Sequence, residues 1–212
     1  MSNKTLLSLF WLAPRTKRQM PKPITNVLLV GVGGQGILLA SEILAKVAFR
    51  EGYDVKKSEV HGMAQRGGSV SSEVRFGDKI HSPLIKKGEA DFLLASEKLE
   101  ALRFIDYLKK EGVLILNDLE IFPLMVNIGK EEYPEDILPR LKKRSSQIFK
   151  IEASKIAEDA GNSKTFNLVL LGKLSTFLSF KASAWEKVIR GEVPPHTIEV
   201  NLKAFELGRK LS

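Results

Sequence analysis

The chain contains no cysteine, and this absence removes several classes of site at once. Without thiols, a chain forms no disulfide, no cysteine-ligated zinc site and no cysteine-ligated iron–sulfur cluster of its own. Histidine is also scarce: the three present are His61, His81 and His196, and no two have the spacing of a metal-ligand pair. We therefore expect no metal site in this chain.

Long apolar runs are missing as well. No stretch approaches the ~20 apolar residues that a membrane-spanning helix needs. With 212 residues, 43% hydrophobic and 27% charged, the chain has the size and composition of one globular domain. We expect a cytoplasmic protein that does not contact membranes.

Positive charge is in excess, with a formal net charge of +8. Half of that excess lies in residues 1–19, which carry Lys4, Arg15, Lys17 and Arg18 and no acidic residue. The remaining positive charge, in residues 20–212, is typical of a lysine-rich solvated surface, and it could also attract an acidic protein partner weakly. No basic stripe with interleaved aromatic residues is present, so nucleic-acid binding is not expected.

The first residues differ from the rest of the chain. A short apolar stretch, Leu6 to Ala13, precedes Pro14 and a basic cluster, and this charge order is the reverse of a secretory signal peptide. We interpret residues 1–22 as a disordered extension and residues 23–212 as a single domain.

The domain opens with a strand, a glycine loop and a helix. Asn26 to Val30 is apolar at every position after the first, which favours a central parallel strand buried on both faces. The glycine-rich segment Gly31–Gly36 follows directly, and Ile37 to Arg50 has the periodicity of a heavily covered helix. This order is the beginning of a βαβ unit.

The same alternation continues downstream. The main predictions are a strand at Tyr53–Val60, an antiparallel hairpin formed by Val70–Phe76 and a return at Ile80–His81, a strand at Asp91–Ala95, a helix at Glu97–Lys110 and an apolar helix at Thr165–Phe180. We predict an α/β fold of three layers, α/β/α, with a mostly parallel but mixed sheet, a Rossmann-like opening and a helical C-terminal third.

The first glycine loop has the spacing G-x-G-x-x-G, and its candidate binding residues are Gly31, Gly33, Gly34, Gln35 and Gly36. Such a loop at a helix N-terminus suits a phosphate, but it is also a common tight turn between strand and helix. A dinucleotide site needs an acidic residue at the end of the second strand. Asp54 lies at the start of that strand, and Glu59 leads into a histidine- and arginine-containing loop, so this requirement is only half met.

A second glycine loop follows the second strand, and its candidate binding residues are His61, Gln65, Arg66, Gly67 and Gly68. Arg66 is a bidentate donor for a phosphate or carboxylate, or alternatively a link to carbonyl or acidic groups within the chain. His61 has the pKa range of a general base, but a lone histidine without a nearby carboxylate is more often a packing residue. We assign no catalytic residue.

These two segments carry a family resemblance. Val27–Ile37 and Ser58–Val70, with the sequence His-Gly-Met-Ala-Gln-Arg-Gly-Gly in the second, resemble the gamma-type domain of the 2-oxoacid:ferredoxin oxidoreductases. The wording of the second loop is most similar to the beta subunits of the indolepyruvate-type members. Ser82-Pro83 and Asn167 also fit the family pattern, and the resemblance runs from about Pro23 to the C-terminus.

The resemblance implies an accessory subunit of an anaerobic oxidoreductase. In this family a larger alpha subunit carries thiamine diphosphate with Mg²⁺ and [4Fe–4S] clusters, and the complex, a heterodimer or α2β2, reduces ferredoxin. Coenzyme A is the co-substrate, and the indolepyruvate-type reaction yields indoleacetyl-coenzyme A and CO2. The resemblance implies that this chain binds no cofactor alone and that its two glycine loops face the coenzyme A or thiamine side of a shared site.

Two other interpretations remain open from the residues alone. The glycine spacing is compatible with a self-contained NAD(P)- or flavin-dependent oxidoreductase. The chain could also be a scaffold whose loops only form a subunit interface.

Overall fold

The computed structural model describes residues 22–62 and 68–211. Its six strands are β1 (Thr25–Val32), β2 (Asp54–His61), β3 (Ser69–Gly77), β4 (Ala90–Ala95), β5 (Leu108–Asn117) and β6 (Gln147–Ile151). Its eight α-helices are α1 (Ile37–Arg50), α2 (Lys98–Phe104), α3 (Leu124–Asn127), α4 (Ile137–Arg144), α5 (Ala153–Ala160), α6 (Phe166–Ser175), α7 (Ala182–Glu192) and α8 (Ile198–Arg209).

The strands form one mixed sheet in the order β2-β3-β1-β4-β5-β6. Strands β1, β4, β5 and β6 pair in parallel, whereas β3 is antiparallel to both of its neighbours, β1 and β2. Strand β2 therefore runs in the same direction as β1 but is separated from it by β3. The loops that follow β1 and β2 consequently leave the sheet at the same edge.

Helices cover both faces of the sheet. Helix α1 and the C-terminal helices α5 to α8 enclose one core, which includes Leu29, Phe76 and Trp185. Helices α2 and α4 enclose a second core on the opposite face, which includes Leu28 and Leu114. The chain therefore turns to one face after β1 and to the other after β4, although these two strands are neighbours.

Helix α6 is central to the first core because all ten of its residues are buried. It crosses α8 at two glycines. A Cβ added to Gly172 would lie 2.1 Å from the Phe205 carbonyl oxygen, and one added to Gly208 would lie 2.0 Å from the Val169 carbonyl oxygen. The two helix backbones are in direct contact, and no side chain fits between them.

The predicted fold class is confirmed, and so are most element positions. Helix α1 spans the predicted residues Ile37–Arg50, and its adjoining strand β1 is buried over Asn26–Val32. The boundary between an extension (1–22) and a domain (23–212) stays a prediction, because residues 1–21 lie outside the described part.

The apolar helix expected at Thr165–Phe180 is shorter and spans Phe166–Ser175. Two other local predictions were wrong. The helix expected at Glu97–Lys110 ends at Phe104, a 3₁₀ turn covers Ile105–Tyr107, and β5 begins at Leu108. The apolar residues near Leu108 serve a strand instead, because Leu108 pairs with Ala90 at the start of β4. The expected return strand at Ile80–His81 is absent from the described residues: β3 finds both of its antiparallel partners earlier in the chain, in β1 and β2.

Among residues 22–62 and 68–211, no helix has the length and apolar character required to cross a membrane.

The crossing of α6 and α8 gives a stability prediction. Gly172→Ala or Gly208→Ala should lower the free energy of unfolding by at least about 2 kcal/mol, because the added methyl group forces two helix backbones apart. Gly191→Ala is the matched control, since Gly191 also lies in a helix, α7, with no atom within 4 Å of an added Cβ. It should be neutral or stabilise by up to about 1 kcal/mol. Urea denaturation measures all three, and equal effects at the three positions would contradict the prediction.

Candidate functional site

A cleft of about 890 Å³ opens at the edge of the sheet where β1 and β2 end. It is lined by both predicted loops, through Val32, Gly33, Gly34, Gln35, Gly36, Ile37, Leu38, His61, Gly62 and Val70. The expectation that the two segments border one crevice therefore holds for the residues described.

Backbone N–H groups form the polar part of the first loop. The Gly33 N–H donates to the Gly68 carbonyl oxygen at 2.9 Å, and the Gln35 N–H donates to the Val32 carbonyl oxygen at 3.1 Å. The N–H groups of Gly34 and Gly36 have no hydrogen-bond acceptor among the described residues. Helix α1 begins directly after them and has no acidic residue in its first turn, so the positive end of its dipole is not neutralised locally.

The side chain of Gln35 has a structural role. It is buried, its Oε1 accepts the Val32 N–H at 2.7 Å, and its Nε2 donates to the Ser96 carbonyl oxygen at 3.4 Å. Gln35 therefore fills the space between the ends of β1 and β4, where the chain switches faces and where nucleotides bind in many α/β folds. Gly31 lies beneath it, because a Cβ at that position would approach Gln35 Oε1 to 2.7 Å.

Gly36 is fixed by the buried helix α6. It has φ +72°, and the side-chain amide of Asn167 donates to its carbonyl oxygen at 3.1 Å. A Cβ on Gly36 would lie 2.3 Å from Asn167 Nδ2. The conformation and the contact both require glycine, and Asn167 thereby connects the C-terminal helices to the start of α1.

Polar side chains continue along the same edge of the sheet. Asn117, at the end of β5, donates from Nδ2 to the Ser96 carbonyl oxygen and to Ser154 Oγ, both at 3.1 Å, and its Oδ1 accepts the Ala153 N–H. These bonds hold the ends of β4, β5 and β6 together. Ser96 Oγ is buried and has no hydrogen-bond partner among the described residues.

Two buried carboxylates lie at the start of α2. Glu97 caps the helix through the Glu100 N–H at 2.9 Å, and its other oxygen accepts the Tyr133 hydroxyl at 2.7 Å. Glu100 accepts a short hydrogen bond from Ser69 Oγ and lies 3.2 Å from Arg103 Nη1. Burial raises the pKa of the Glu100 carboxyl, although Ser69 and Arg103 act in the opposite direction.

The two acidic residues considered for a dinucleotide site, Asp54 and Glu59, bind other groups of the chain. Asp54 binds Lys56 and the Ile80 N–H, and Glu59 lies 2.7 Å from Lys57 Nζ. His61 is exposed at the wall of the cleft and makes no side-chain hydrogen bond to any described residue. This environment gives His61 no carboxylate that would orient it as a general base.

The other predicted site residues divide into two groups. Gly33, Gly34 and Gly36 line the cleft, while Gly68 contributes the carbonyl oxygen that accepts the Gly33 N–H. Gln65, Arg66 and Gly67 lie outside the described residues, so their role stays a prediction. In residues 22–62 and 68–211, no group of three or more His, Asp or Glu side chains could hold a metal ion.

Sequence reasoning missed the polar residues that support the loops, chiefly Ser69, Ser96, Glu97 and Glu100. A polar residue directly after a buried strand was a usable signal for Ser96 and Glu97. No comparable signal existed for Glu100, which resembles an ordinary solvated residue of an amphipathic helix. The assembled site offers backbone donors and a helix N-terminus, and this arrangement suits binding of an anionic group rather than proton transfer.

The contact between Gly36 and Asn167 can be tested by a matched pair of substitutions. Gly36→Ala and Gly34→Ala both force alanine into positive φ, with φ +72° and +98°, but an added Cβ at Gly34 has no atom within 4 Å. Gly36→Ala should therefore lower the free energy of unfolding by about 1–3 kcal/mol more than Gly34→Ala, because it also displaces Asn167. Chemical denaturation measures the difference, and equal losses would contradict the predicted contact.

Comparisons with known proteins agree with the two-loop resemblance. Residues 26–211 match the family model described as pyruvate ferredoxin/flavodoxin oxidoreductase. The indolepyruvate oxidoreductase subunit IorB of Thermococcus kodakarensis is 45% identical over 192 residues, which cover 87% of this chain and 94% of that protein. The protein of the same name from Pyrococcus horikoshii is 44% identical, with the same coverage.

A solved structure gives the same result. The gamma subunit of keto/oxoacid ferredoxin oxidoreductase from Geobacter sulfurreducens superimposes with a TM-score of 0.65 at 26% identity, covering 87% of this chain and 95% of that one. Sequence and fold therefore agree over most of the chain. The chain belongs to the pyruvate ferredoxin/flavodoxin oxidoreductase family, as its two glycine loops indicated.

Proposed function

We propose that this chain is the accessory subunit of a 2-oxoacid:ferredoxin oxidoreductase that acts on indolepyruvate. The observation that carries the proposal is the 45% identity to an indolepyruvate oxidoreductase subunit over nearly the whole length of both proteins. The complex converts indolepyruvate, coenzyme A and oxidised ferredoxin into indoleacetyl-coenzyme A, CO2 and reduced ferredoxin.

A larger partner subunit completes the enzyme. This chain has no cysteine to hold an iron–sulfur cluster, and its described residues offer no metal-binding group. The proposal therefore assigns thiamine diphosphate, Mg²⁺ and the [4Fe–4S] clusters to the alpha subunit, in a cytoplasmic heterodimer or α2β2 complex. When bound there, those groups supply decarboxylation and electron transfer, while this chain contributes binding surface.

The cleft is the part of this chain that we assign to the shared site. The N–H groups of Gly34 and Gly36, for which the described residues provide no acceptor, favour a phosphate group together with the N-terminus of α1. Coenzyme A and thiamine diphosphate both carry phosphates, so the shared chemistry is a phosphate bound by backbone donors. Arg66 would add a bidentate contact from the second loop.

The self-contained NAD(P)- or flavin-dependent enzyme is not favoured. Its ribose-binding acid would have to come from the end of β2, where Glu59 is paired with Lys57. Gln35 occupies the space between the ends of β1 and β4, next to the glycine loop. The family match covers residues 26–211 and points to the accessory subunit instead.

Co-expression with the partner tests the function. The isolated chain should show no 2-oxoacid oxidation, whereas the co-purified complex should reduce ferredoxin with indolepyruvate, and only when coenzyme A is supplied. Activity with pyruvate and 2-oxoglutarate in the same assay gives the substrate preference. Appreciable turnover by the isolated chain, or micromolar NAD(H) binding by it (~8 kcal/mol), would overturn the proposal.

Arg66→Ala tests the assignment of the second loop. In the complex it should raise the KM for coenzyme A at least about tenfold, because a charge-assisted bidentate contact contributes ~1.5–3 kcal/mol. Arg140→Ala is the control, since Arg140 is an exposed arginine on α4 whose ion pair with Asp136 is long, at 3.7 Å. If the KM for coenzyme A is unchanged, a raised apparent dissociation constant for thiamine diphosphate would instead assign the loop to that ligand. If Arg66→Ala changes neither the KM for coenzyme A nor the binding of thiamine diphosphate, the second loop does not bind phosphate.

A further inference from the structure

Ser69, the first residue of β3, lies between the points where the two loops of the cleft leave the sheet. In the β1–β3 ladder Ser69 is paired with Val32, the last residue of β1. Its carbonyl oxygen accepts the Gly62 N–H at 3.3 Å, just beyond the end of β2. Its neighbour Gly68 accepts the Gly33 N–H. Ser69 therefore connects the first residues of both loops.

The side chain of Ser69 is held from a third element. Its hydroxyl donates to Glu100, which lies in the first turn of α2, on the opposite side of the sheet from α1. Only 3% of the surface of Glu100 is exposed. Because an ionisable residue is almost never so deeply buried without partners, its contacts are informative. Among the described residues the partners of its carboxylate are the Ser69 hydroxyl and the half-exposed Arg103, and its backbone N–H is capped by Glu97.

We infer that Glu100 is a positioning residue for the cleft. By binding Ser69 Oγ, Glu100 fixes residues 68 and 69, at the start of β3. The position of this segment in turn sets the position of the Gly68 carbonyl oxygen, which accepts the Gly33 N–H. The bond at Gly33 holds the glycine loop, in which the N–H groups of Gly34 and Gly36 have no acceptor within residues 22–62 and 68–211 and can therefore face a ligand. A carboxylate suits this task because hydrogen bonds to charged acceptors are the stronger ones.

Substitutions separate this role from a general contribution to stability. Ser69→Ala and Glu100→Ala remove the bond, whereas Glu100→Gln keeps an oxygen that can accept it. Ser145→Ala is the control: Ser145 is a buried serine, whereas Ser69 is half-buried, and its hydroxyl donates to the Gly112 carbonyl oxygen at 3.1 Å, in the amino-terminal half of β5. That end of the sheet is opposite the cleft.

Amide hydrogen exchange in the full-length chain is the first measurement. Exchange at Gly33 should accelerate at least about tenfold in Ser69→Ala and Glu100→Ala, and less than about threefold in Glu100→Gln and Ser145→Ala. This readout does not depend on what the cleft binds. Unchanged exchange at Gly33 in both alanine variants, or an equal increase in Ser145→Ala, would overturn the inference.

Kinetics of the complex form the second measurement, and this part rests on the proposed function. Ser69→Ala and Glu100→Ala should raise the KM for coenzyme A at least about fivefold with kcat within about twofold, while Glu100→Gln restores a value near that of the wild type. Faster exchange at Gly33 with an unchanged KM would overturn coenzyme A as the ligand of the cleft and leave Glu100 as its positioning residue.

Discussion

The reversed strand β3 is the constraint on which the rest of this architecture depends. Because it is inserted between β1 and β2, these two strands run in the same direction without touching, and their loops emerge at one edge. The gap between the loops is about one strand wide, and the first residue of β3 forms its floor. If β2 paired directly with β1, no strand would lie between their loops and the cleft would have no floor of this kind.

The cleft is built mainly from backbone, and the side chains around it serve to hold that backbone in place. Gln35 binds the first loop to the end of β4, Asn167 binds Gly36 from below, and Glu100 binds Ser69 at the start of β3. Gln35 lies in the first loop itself, Asn167 lies on a helix on one face of the sheet, and Glu100 lies on a helix on the other face. Among the described residues the cleft offers backbone donors and no side chain oriented for acid–base catalysis, which agrees with the proposal that the reactive cofactors belong to a partner subunit.

Much of the fold could be predicted from the sequence because its periodic signals are strong. The helix at Ile37–Arg50 has glycines at both ends and apolar residues at helical spacing, so its bounds were predicted correctly. The segment near Leu108 was assigned to a helix because Ile105 and Leu108 also fit helical spacing, and only pairing with β4 shows that a strand is favoured there.

The site was only half predictable for a related reason. Glycine clusters after strands are visible in sequence, and the shared edge follows from strand direction. The contact between Ser69 and Glu100 spans 31 residues and depends on the placement of β3, which no local pattern encodes. The role of Asn167 likewise depends on how a helix 131 residues away from Gly36 packs against α1.

The fully buried helix α6 has a consequence for how the molecule is made. It has no polar face to show to water, and its cover on one side is α8, which contacts it backbone to backbone. On the ribosome, residues 198–209 emerge long after the sheet strands, so α6 stays without this cover until then. Until then, the helix that holds Asn167 against Gly36 is only partly covered, so the shape of the first loop depends on a segment that is made well after the loop itself.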